Sequence, residues 1–264
     1  MSKTYSKSDY ENAGSPANLI IPEGVTEIDE YALMNCILLR SVIIPASVRK
    51  IGYSAFWGCT SLQSVNISMG LSEIDDCAFW GCISLQGISI PESVIVIGAC
   101  AFSDCSSLRS VHLPESVTEI YDAVFNGCSL DTYKIETSNF LLKNGLLIDK
   151  RDNKLVSSAF TEKTRVFIPE SVTEIGVSAF SECTSLQSVI IPKGVTKIDE
   201  YAFYGCISLE SVKISECVTT IDDNVFERCT SLSTVNLPKG ITWHNVKNKF
   251  KDSPWGQNKP KESK

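Results

Sequence analysis

Cysteines are the residues of this chain with the widest choice of chemistry, because a thiolate can bind a metal, form a disulfide or act as a nucleophile. The 264 residues include 11 of them. Eight lie on a 23-residue period that is interrupted once: Cys36, Cys59, Cys82, Cys105, Cys128, Cys183, Cys206 and Cys229.

This spacing favours a structural role for the cysteines. A zinc site requires ligands that converge on one point, whereas one cysteine per period spreads the sulfur atoms along a line. Complete internal pairing is impossible because the number of cysteines is odd. We therefore expect small apolar thiols to fill one repeated core position, with zinc binding or disulfides as the alternatives. Many free thiols favour a reducing compartment or deep burial.

The sequence predicts no catalytic site. Its two histidines, His112 and His244, lie far apart, and paired acids such as Asp75-Asp76 read as solvent-facing turn residues. It contains no glycine-rich phosphate loop, no G-x-S-x-G elbow and no H-E-x-x-H metal motif. We expect a protein that is not an enzyme and that binds no cofactor and no metal.

The neighbours of each periodic cysteine repeat with it. Phenylalanine stands three residues earlier in seven copies and isoleucine stands eight residues earlier in all eight, as Phe102 and Ile97 do before Cys105. A fixed period of this length indicates a solenoid, in which each repeat is one coil that buries its apolar side against the next coil.

Within one repeat, the apolar spacing predicts a strand followed by a turn. Val65 and Ile67 are two residues apart and share one face of a strand. A proline such as Pro91 ends the strand, because it cannot donate a ladder hydrogen bond. The A-F-x-x-C-x-x-L stretch has three- and four-residue spacing, which favours a short helix or 3₁₀ turn on the convex side.

The consensus I-P-x-[SG]-V-T-x-I-x-x-x-A-F-x-x-C-x-S-L-x-S-V-x resembles the BspA-like, treponemal-type leucine-rich repeat family, most clearly at residues 47–62 and 171–186. The resemblance covers roughly residues 20–240. It implies a leucine-rich repeat solenoid, with a β-strand and short helix or 3₁₀ turns in each 23-residue coil, stacked into a single curved rod. It also implies adhesion to host proteins or other cells, although one fold hosts many functions.

The period is interrupted at residues 129–164, which lengthen the interval between two periodic cysteines. The Asn144-Gly145 step between apolar runs and the charged stretch 149–154 are turn signals, so they predict a β-hairpin insertion. The insertion either joins two runs of coils or acts as a ligand loop, since insertions in solenoids often lie on a binding face.

The repeats set the expected domain limits. We predict a flexible N-terminal segment over 1–18, a solenoid over 19–255 and a disordered tail over 256–264. A C-terminal cap is predicted over 238–255, where Phe250 continues the phenylalanine position, Ser253 replaces the cysteine, and Pro254 and Trp255 stop the repeat.

Charge and hydropathy limit the partners. The net charge of −7 disfavours general binding to nucleic acid or to anionic membranes. No apolar run approaches the length of a membrane span, and the N-terminus has no hydrophobic signal core. The localisation stays open: secreted or at the cell surface if a signal was removed, otherwise cytoplasmic.

The outward strand positions are the predicted contact surface. One column of them is small and nearly uniform, with Ser41 and Ser188 as examples, and the other varies and includes isoleucines. Trp57 and Trp80, one repeat apart, form either a contact patch or a cover for the convex core. The candidate partner-binding residues are Asn66, Ser89, His112, Ile190, Lys213, Trp57 and Trp80.

We expect a non-enzymatic protein–protein interaction module whose stacked sheet presents a broad face to a host or matrix protein. The alternative is an intracellular structural scaffold, that is, a subunit of a larger assembly. Free thiols and an N-terminus without a secretion signal would be consistent with this alternative.

Overall fold

A computed structural model describes residues 3–130, 133–241 and 246–257. The chain divides into two compact units, Met1–Gly145 and Leu146–Lys264. Most of the predicted tail, from residue 258 onward, lies outside the described residues. No helix in the described ranges is long and apolar enough to cross a lipid bilayer.

The first unit consists of short strands and one helix, α1 (Lys7–Asn12). Its strands are β1 (Thr4–Tyr5), β2 (Asn18–Ile20), β3 (Glu27–Ile28), β4 (Ser41–Ile44), β5 (Lys50–Ile51), β6 (Ser64–Ile67), β7 (Glu73–Ile74), β8 (Gly87–Ser89), β9 (Val96–Ile97), β10 (Ser110–His112), β11 (Glu119–Ile120), β12 (Ile135–Glu136) and β13 (Phe140–Lys143).

The second unit repeats this organisation and ends in a 3₁₀ helix over Lys247–Phe250 and in helix α2 (Pro254–Gln257). Its strands are β14 (Leu146–Asp149), β15 (Lys154–Ser158), β16 (Arg165–Phe167), β17 (Glu174–Ile175), β18 (Ser188–Ile190), β19 (Lys197–Ile198), β20 (Ser211–Lys213), β21 (Thr220–Ile221) and β22 (Thr234–Asn236).

Strands one period apart pair in parallel. In the first unit, β1, β3, β5, β7, β9 and β11 form one sheet, β2, β4 and β6 form another, and β8 pairs with β10. Ser41 lies opposite Ser64 in this register. In the second unit, β16, β18, β20 and β22 are parallel neighbours, with Ser188 opposite Ser211. The predicted leucine-rich repeat solenoid is confirmed.

Stacked phenylalanine rings form the centre of each unit. The rings of Phe56, Phe79, Phe102 and Phe125 follow one another at centroid distances of 4.9, 5.3 and 5.8 Å. The rings of Phe180, Phe203, Phe226 and Phe250 do the same at 4.9, 5.2 and 4.6 Å. All eight side chains are fully buried, so the phenylalanine position of the repeat is the core position.

The periodic thiols bond to the backbone of the preceding coil. Sγ of Cys59 donates to the carbonyl of Leu33 at 3.0 Å, and Sγ of Cys105 donates to that of Phe79 at 3.2 Å. Cys183 follows the insertion and hydrogen-bonds the Ser158 hydroxyl at 3.2 Å. The structure pairs none of the 11 cysteines, all of which it describes.

The A-F-x-x-C segment forms turns. The N–H of Trp57 bonds to the carbonyl of Ser54 three residues earlier, while Phe56 and Gly58 donate to Ala78 and Trp80 of the next coil at 2.7 and 2.8 Å. Ser54 and Gly58 have φ angles of 51° and 69°, which a right-handed helix does not allow. Hydrogen bonding between coils therefore continues through these turns as well as through the strands.

The N-terminal residues form an additional coil that the sequence analysis does not predict. Tyr5 lies opposite Ile28 in the pairing of β1 with β3. Tyr10 on α1 stands one period before Leu33, is 4% exposed, and donates its hydroxyl to the Pro16 carbonyl at 3.1 Å. Two tyrosines thus take the isoleucine and phenylalanine positions and cover the apolar end of the first unit.

Aromatic residues also end the second unit. Trp255 lies against the ring of Phe250 at 4.4 Å, with 54° between the planes. Ser253, at the cysteine position, is fully buried; its hydroxyl donates to the Phe250 carbonyl and accepts the N–H of Gly256. The last phenylalanine of the column is therefore covered by a bulky ring and not by another coil.

The predicted β-hairpin insertion is present. Strands β14 and β15 are antiparallel, with Asp149 opposite Lys154 on either side of the charged turn. Strand β15 then pairs in parallel with β17, so the hairpin passes directly into the coils of the second unit. In the first unit, β12 pairs with β13 in antiparallel orientation, and Asn144 and Gly145 both have the positive φ of a type I′ turn.

Candidate functional site

In β2, β4, β6, β8 and β10, and in β16, β18, β20 and β22, the first and third residues face outward. The valine, leucine or isoleucine between them points inward. The first outward position gives what we call the serine row: Asn18, Ser41, Ser64, Gly87 and Ser110 in the first unit, and Arg165, Ser188, Ser211 and Thr234 in the second. The second gives the variable row: Ile20, Ile43, Asn66, Ser89 and His112, then Phe167, Ile190, Lys213 and Asn236.

Strand register brings several candidate residues together. Ser89 lies opposite His112 in the pairing of β8 with β10, and Ile190 lies opposite Lys213 in the pairing of β18 with β20. Asn66 lies opposite Ile43. The five predicted residues of these pairs and Ile43 are all solvent-exposed. The predicted partner-binding residues of the strands therefore form two groups, one in each unit.

Close packing explains why the serine row is small. Ser41 donates its hydroxyl to the Asn18 side chain of the neighbouring coil at 2.7 Å. A Cβ atom built on Gly87 would lie 2.6 Å from the hydroxyl oxygen of Ser110, which is closer than real Cβ contacts. The small size of the serine-row residues therefore follows from the spacing of the coils, a limit that the variable row does not show.

Apolar side chains begin the variable row in both units. Phe167 is 86% exposed and Ile190 is 58% exposed, and the corresponding values for Ile20 and Ile43 are 67% and 43%. Ile20 and Phe167 are not among the predicted residues, because their coils lack the periodic cysteine. The 23-residue period could have identified both, since each stands 23 residues before an isoleucine of the row.

Carboxylates are missing from both rows. None of the 31 acidic residues of the chain occupies a serine-row or variable-row position. Acids lie instead near the core isoleucines, where they pair with lysines: Lys50 contacts Glu73 at 2.9 Å and Asp75 at 2.8 Å, and Lys197 contacts Asp199. The acidic charge of the chain is thus kept off the outward strand face.

Trp57 and Trp80 lie on the convex turns of the first unit, apart from the strand rows. Their rings stack at 5.6 Å with 19° between the planes, and both side chains are half-buried. The indole N–H of Trp80 donates to Oδ2 of Asp104 at 2.7 Å. This geometry suits a cover over the phenylalanine column and leaves one edge of the pair in contact with solvent.

The thiols range from buried through half-buried, as at Cys77, to exposed. Burial raises the pKa of Cys59 and of Cys183 to about 12, so both stay protonated and unreactive near neutral pH. Cys217 is exposed. No group of three His, Cys, Asp or Glu side chains in the described part of the chain is arranged to hold a metal ion.

A groove of about 460 Å³ opens beside the variable row of the second unit. Its lining includes Ile190 and Lys213 of the row and residues of the turns that follow the strands, among them Pro192, Lys193 and Cys217. Ile190 and Lys213 were predicted from the sequence. The turn residues were not, because the concave surface depends on how successive turns stack.

Comparison with known proteins agrees with this architecture. The profile of the BspA type leucine rich repeat region matches residues 26–147 and 153–253 in six copies. A leucine-rich repeat protein from Eubacterium ventriosum superposes with a TM-score of 0.76 at 27% identity; the match covers 90% of this chain and 66% of that one. This chain thus spans just under two thirds of that protein.

A more distant structure shares the fold alone. The pneumococcal vaccine antigen PcpA superposes with a TM-score of 0.59 at 20% identity, over 87% of this chain and 74% of that chain. No curated protein matches the sequence.

Solenoids of this class use an extended sheet surface as a protein-interaction module. The profile covers well over half of the sequence, and the chain belongs to the BspA type leucine rich repeat family.

Proposed function

We propose that this protein is a non-catalytic binding module that recognises another protein through the variable row. The observation that carries the proposal is the exposure of Phe167 and Ile190, which are 86% and 58% accessible on a regular sheet face. Adjoining apolar side chains on a folded surface mark interaction sites more often than they serve packing. The rigid coils hold these side chains in a fixed array, so little conformational entropy is lost on binding.

The partner that fits is a protein at a cell surface or in an extracellular matrix, bound for adhesion. Two features support this proposal: membership of the BspA type family and an outward face without carboxylates, which avoids charge repulsion with acidic proteins. Adhesion also suits a face of many equivalent positions, because several weak contacts along one surface act together.

Face-specific substitutions test the binding surface. The partner is first captured from surface extracts of candidate host cells and identified by mass spectrometry, and its affinity for purified variants is then measured. The variants are a strand-face variant that combines His112→Glu, Asn66→Glu and Ser89→Glu with Phe167→Ala and Ile190→Ala, a variant with Trp57→Ala and Trp80→Ala on the turns, and deletion of residues 136–160.

We expect the strand-face variant to weaken binding while the melting temperature changes little. Loss of binding only in the tryptophan variant would move the site to the convex side. Loss only on deletion of 136–160 would make the insertion the recognition element. Unchanged affinity in all three variants would contradict the proposal.

A scaffold in a larger assembly is the second candidate, and the cysteines favour it. None of the 11 is paired, and Cys217 is exposed, which suits a reducing compartment. Fractionation of the source cells decides between the two. Recovery of the protein in a large complex in the cytosol, with Cys217 reduced, would support the scaffold and contradict adhesion.

A further inference from the structure

The groove of the second unit has an apolar floor and a basic side. Ile214 is 4% exposed, Pro192 is buried and Leu237 is half-buried, so the floor is apolar and tightly held. Lys193, on the turn after β18, and Lys213, on β20, are both exposed and line the same groove. An apolar floor beside ammonium groups suits a ligand that carries both apolar and acidic groups.

The ammonium groups of these two lysines do not pair with a carboxylate in the described residues. Within the described ranges, neither Lys193 nor Lys213 forms an ion pair, whereas Lys154 and Lys197 both contact Asp199. Neighbouring positions on the sheet face add no acid, and the exposed Arg165 of the serine row adds a further cation. Ammonium groups without a partner on the outward face can accept carboxylates from another molecule.

Two glutamates on the groove lining are held by the coils. Oε2 of Glu170 accepts the backbone N–H of Lys193 at 3.1 Å, and Oε2 of Glu216 accepts that of Lys239 at 2.6 Å. Each carboxylate therefore bonds to the turn of the next coil. The turn column alternates acid and base, but these bonds engage the carboxylates with backbone N–H groups, so the Lys193 and Lys213 ammonium groups keep no ion-pair partner in the described residues.

We propose that this groove binds an extended acidic segment of the partner protein, with one apolar side chain on the Ile214 floor and carboxylates against Lys193 and Lys213. The inference rests on the proposed function and names the chemistry of the partner for it. A basic segment would place like charges together, which costs affinity. Phe167 and Ile190, in register on β16 and β18, extend the apolar surface along the sheet for the rest of the segment.

A synthetic peptide tests the inference. The probe is a fluorescein-labelled peptide of eight residues with glutamates on both sides of a central leucine, and binding to the full chain is followed by fluorescence anisotropy at low salt. Two control peptides replace either the leucine with serine or the glutamates with glutamine. We expect each control to bind about tenfold more weakly, because each lacks one of the two complementary features.

Charge-matched variants locate the site. Lys213→Glu should weaken probe binding by about tenfold or more. The control variant is Lys7→Glu, which makes the same change of charge at an exposed position of α1 in the other unit and should change the affinity less than about twofold. Melting curves must agree among the variants, so that a loss of binding is not a loss of folding.

Cys217 provides an independent readout, because it lines the groove and is exposed. Bound probe should slow its alkylation by a maleimide, measured by mass spectrometry of the Cys217 peptide. Equal binding of the serine control would show attraction by charge alone and overturn the inference, as would unchanged binding by Lys213→Glu. If the probe fails to bind while His112→Glu still weakens the captured partner, the groove inference fails and the proposed function stands.

Discussion

Truncation of Phe102 to alanine tests the assignment of the repeat to a buried phenylalanine column. The side chain is fully buried. Its ring stacks on Phe79 at 5.3 Å and on Phe125 at 5.8 Å, so it has an aromatic neighbour on each face. The backbone bonds of Phe102, to the Val124 carbonyl and from the Cys128 thiol, do not involve the side chain and persist in the variant.

The expected loss lies in the upper part of the range for such substitutions. Truncation of a buried phenylalanine to alanine costs about 3–5 kcal/mol, and the cost rises with the volume of the cavity that remains. Neighbouring coils are held apart by their hydrogen bonds, so Phe79 and Phe125 cannot move together to fill the space. The range already includes lost contacts, and two stacking contacts of about 0.5–1.5 kcal/mol each place Phe102 toward its upper end. We expect a loss of about 4–5 kcal/mol for Phe102→Ala.

Urea denaturation followed by circular dichroism measures this loss, and the chain offers a matched control. Phe167→Ala removes the same atoms from a side chain that is 86% exposed, so its effect should stay within about 0.5 kcal/mol. Phe102→Leu should fall between the two, since leucine occupies the same position of the repeat at Leu33. Equal denaturation midpoints for Phe102→Ala and Phe167→Ala would refute the assignment of the phenylalanine column to the core.

Three further predictions concern the thiols, an acidic side chain and the C-terminal end. In native protein at pH 8 a maleimide should label Cys217 at once and Cys59 only after denaturation, because burial raises the pKa of Cys59 to about 12; equal labelling of both, seen by peptide mass spectrometry, would contradict this. Burial raises the pKa of Asp149, but the hydrogen bonds and charge of Arg151 lower it by more, so the pKa lies below its usual value. The advantage of the wild type over Asp149→Asn should therefore hold above about pH 4, the usual pKa of an unfolded aspartate, and be lost as the pH falls through the lowered pKa of the folded state, which denaturation at several pH values measures; an advantage that grows on acidification would exclude this. Trp255→Ala should cost about 3 kcal/mol in the same urea assay, because it uncovers the last ring of the column; an unchanged midpoint would show that the helix α2 is not a cap.

The core residues could be predicted from the sequence, because the same position has the same environment in every coil. Each coil packs against a copy of itself, so one position must be filled by the same side chain in every coil, and the column of Phe180 and Phe203 can be read directly. The hairpin of β14 and β15 was also readable, since a charged turn between apolar runs has a local signature. These features depend on residues near one another in the sequence or exactly one period apart.

Features that depart from the period were harder to predict. Tyr5 and Tyr10 continue the isoleucine and phenylalanine columns with a different residue type, so a pattern built on cysteine and phenylalanine passes over them. Positive φ at Ser54 and its equivalents has no sequence signal, because the residues there are mostly not glycine. The groove near Lys193 depends on the stacking of turns, which no single repeat contains.

This difference separates the positions that maintain the fold from those available for binding. A side chain required by stacking must suit every coil, which explains the buried phenylalanines and the small serine row with its contact at Gly87. Residues that differ from coil to coil are not required by stacking and are free to meet a partner. Phe167, Ile190 and Lys213 stand in one register yet share neither size nor charge, and two of them are among the most exposed apolar residues of the chain. The variable row is therefore where side chains can change without loss of the fold, and this is why we propose that row, with the groove beside Lys213, as the binding surface.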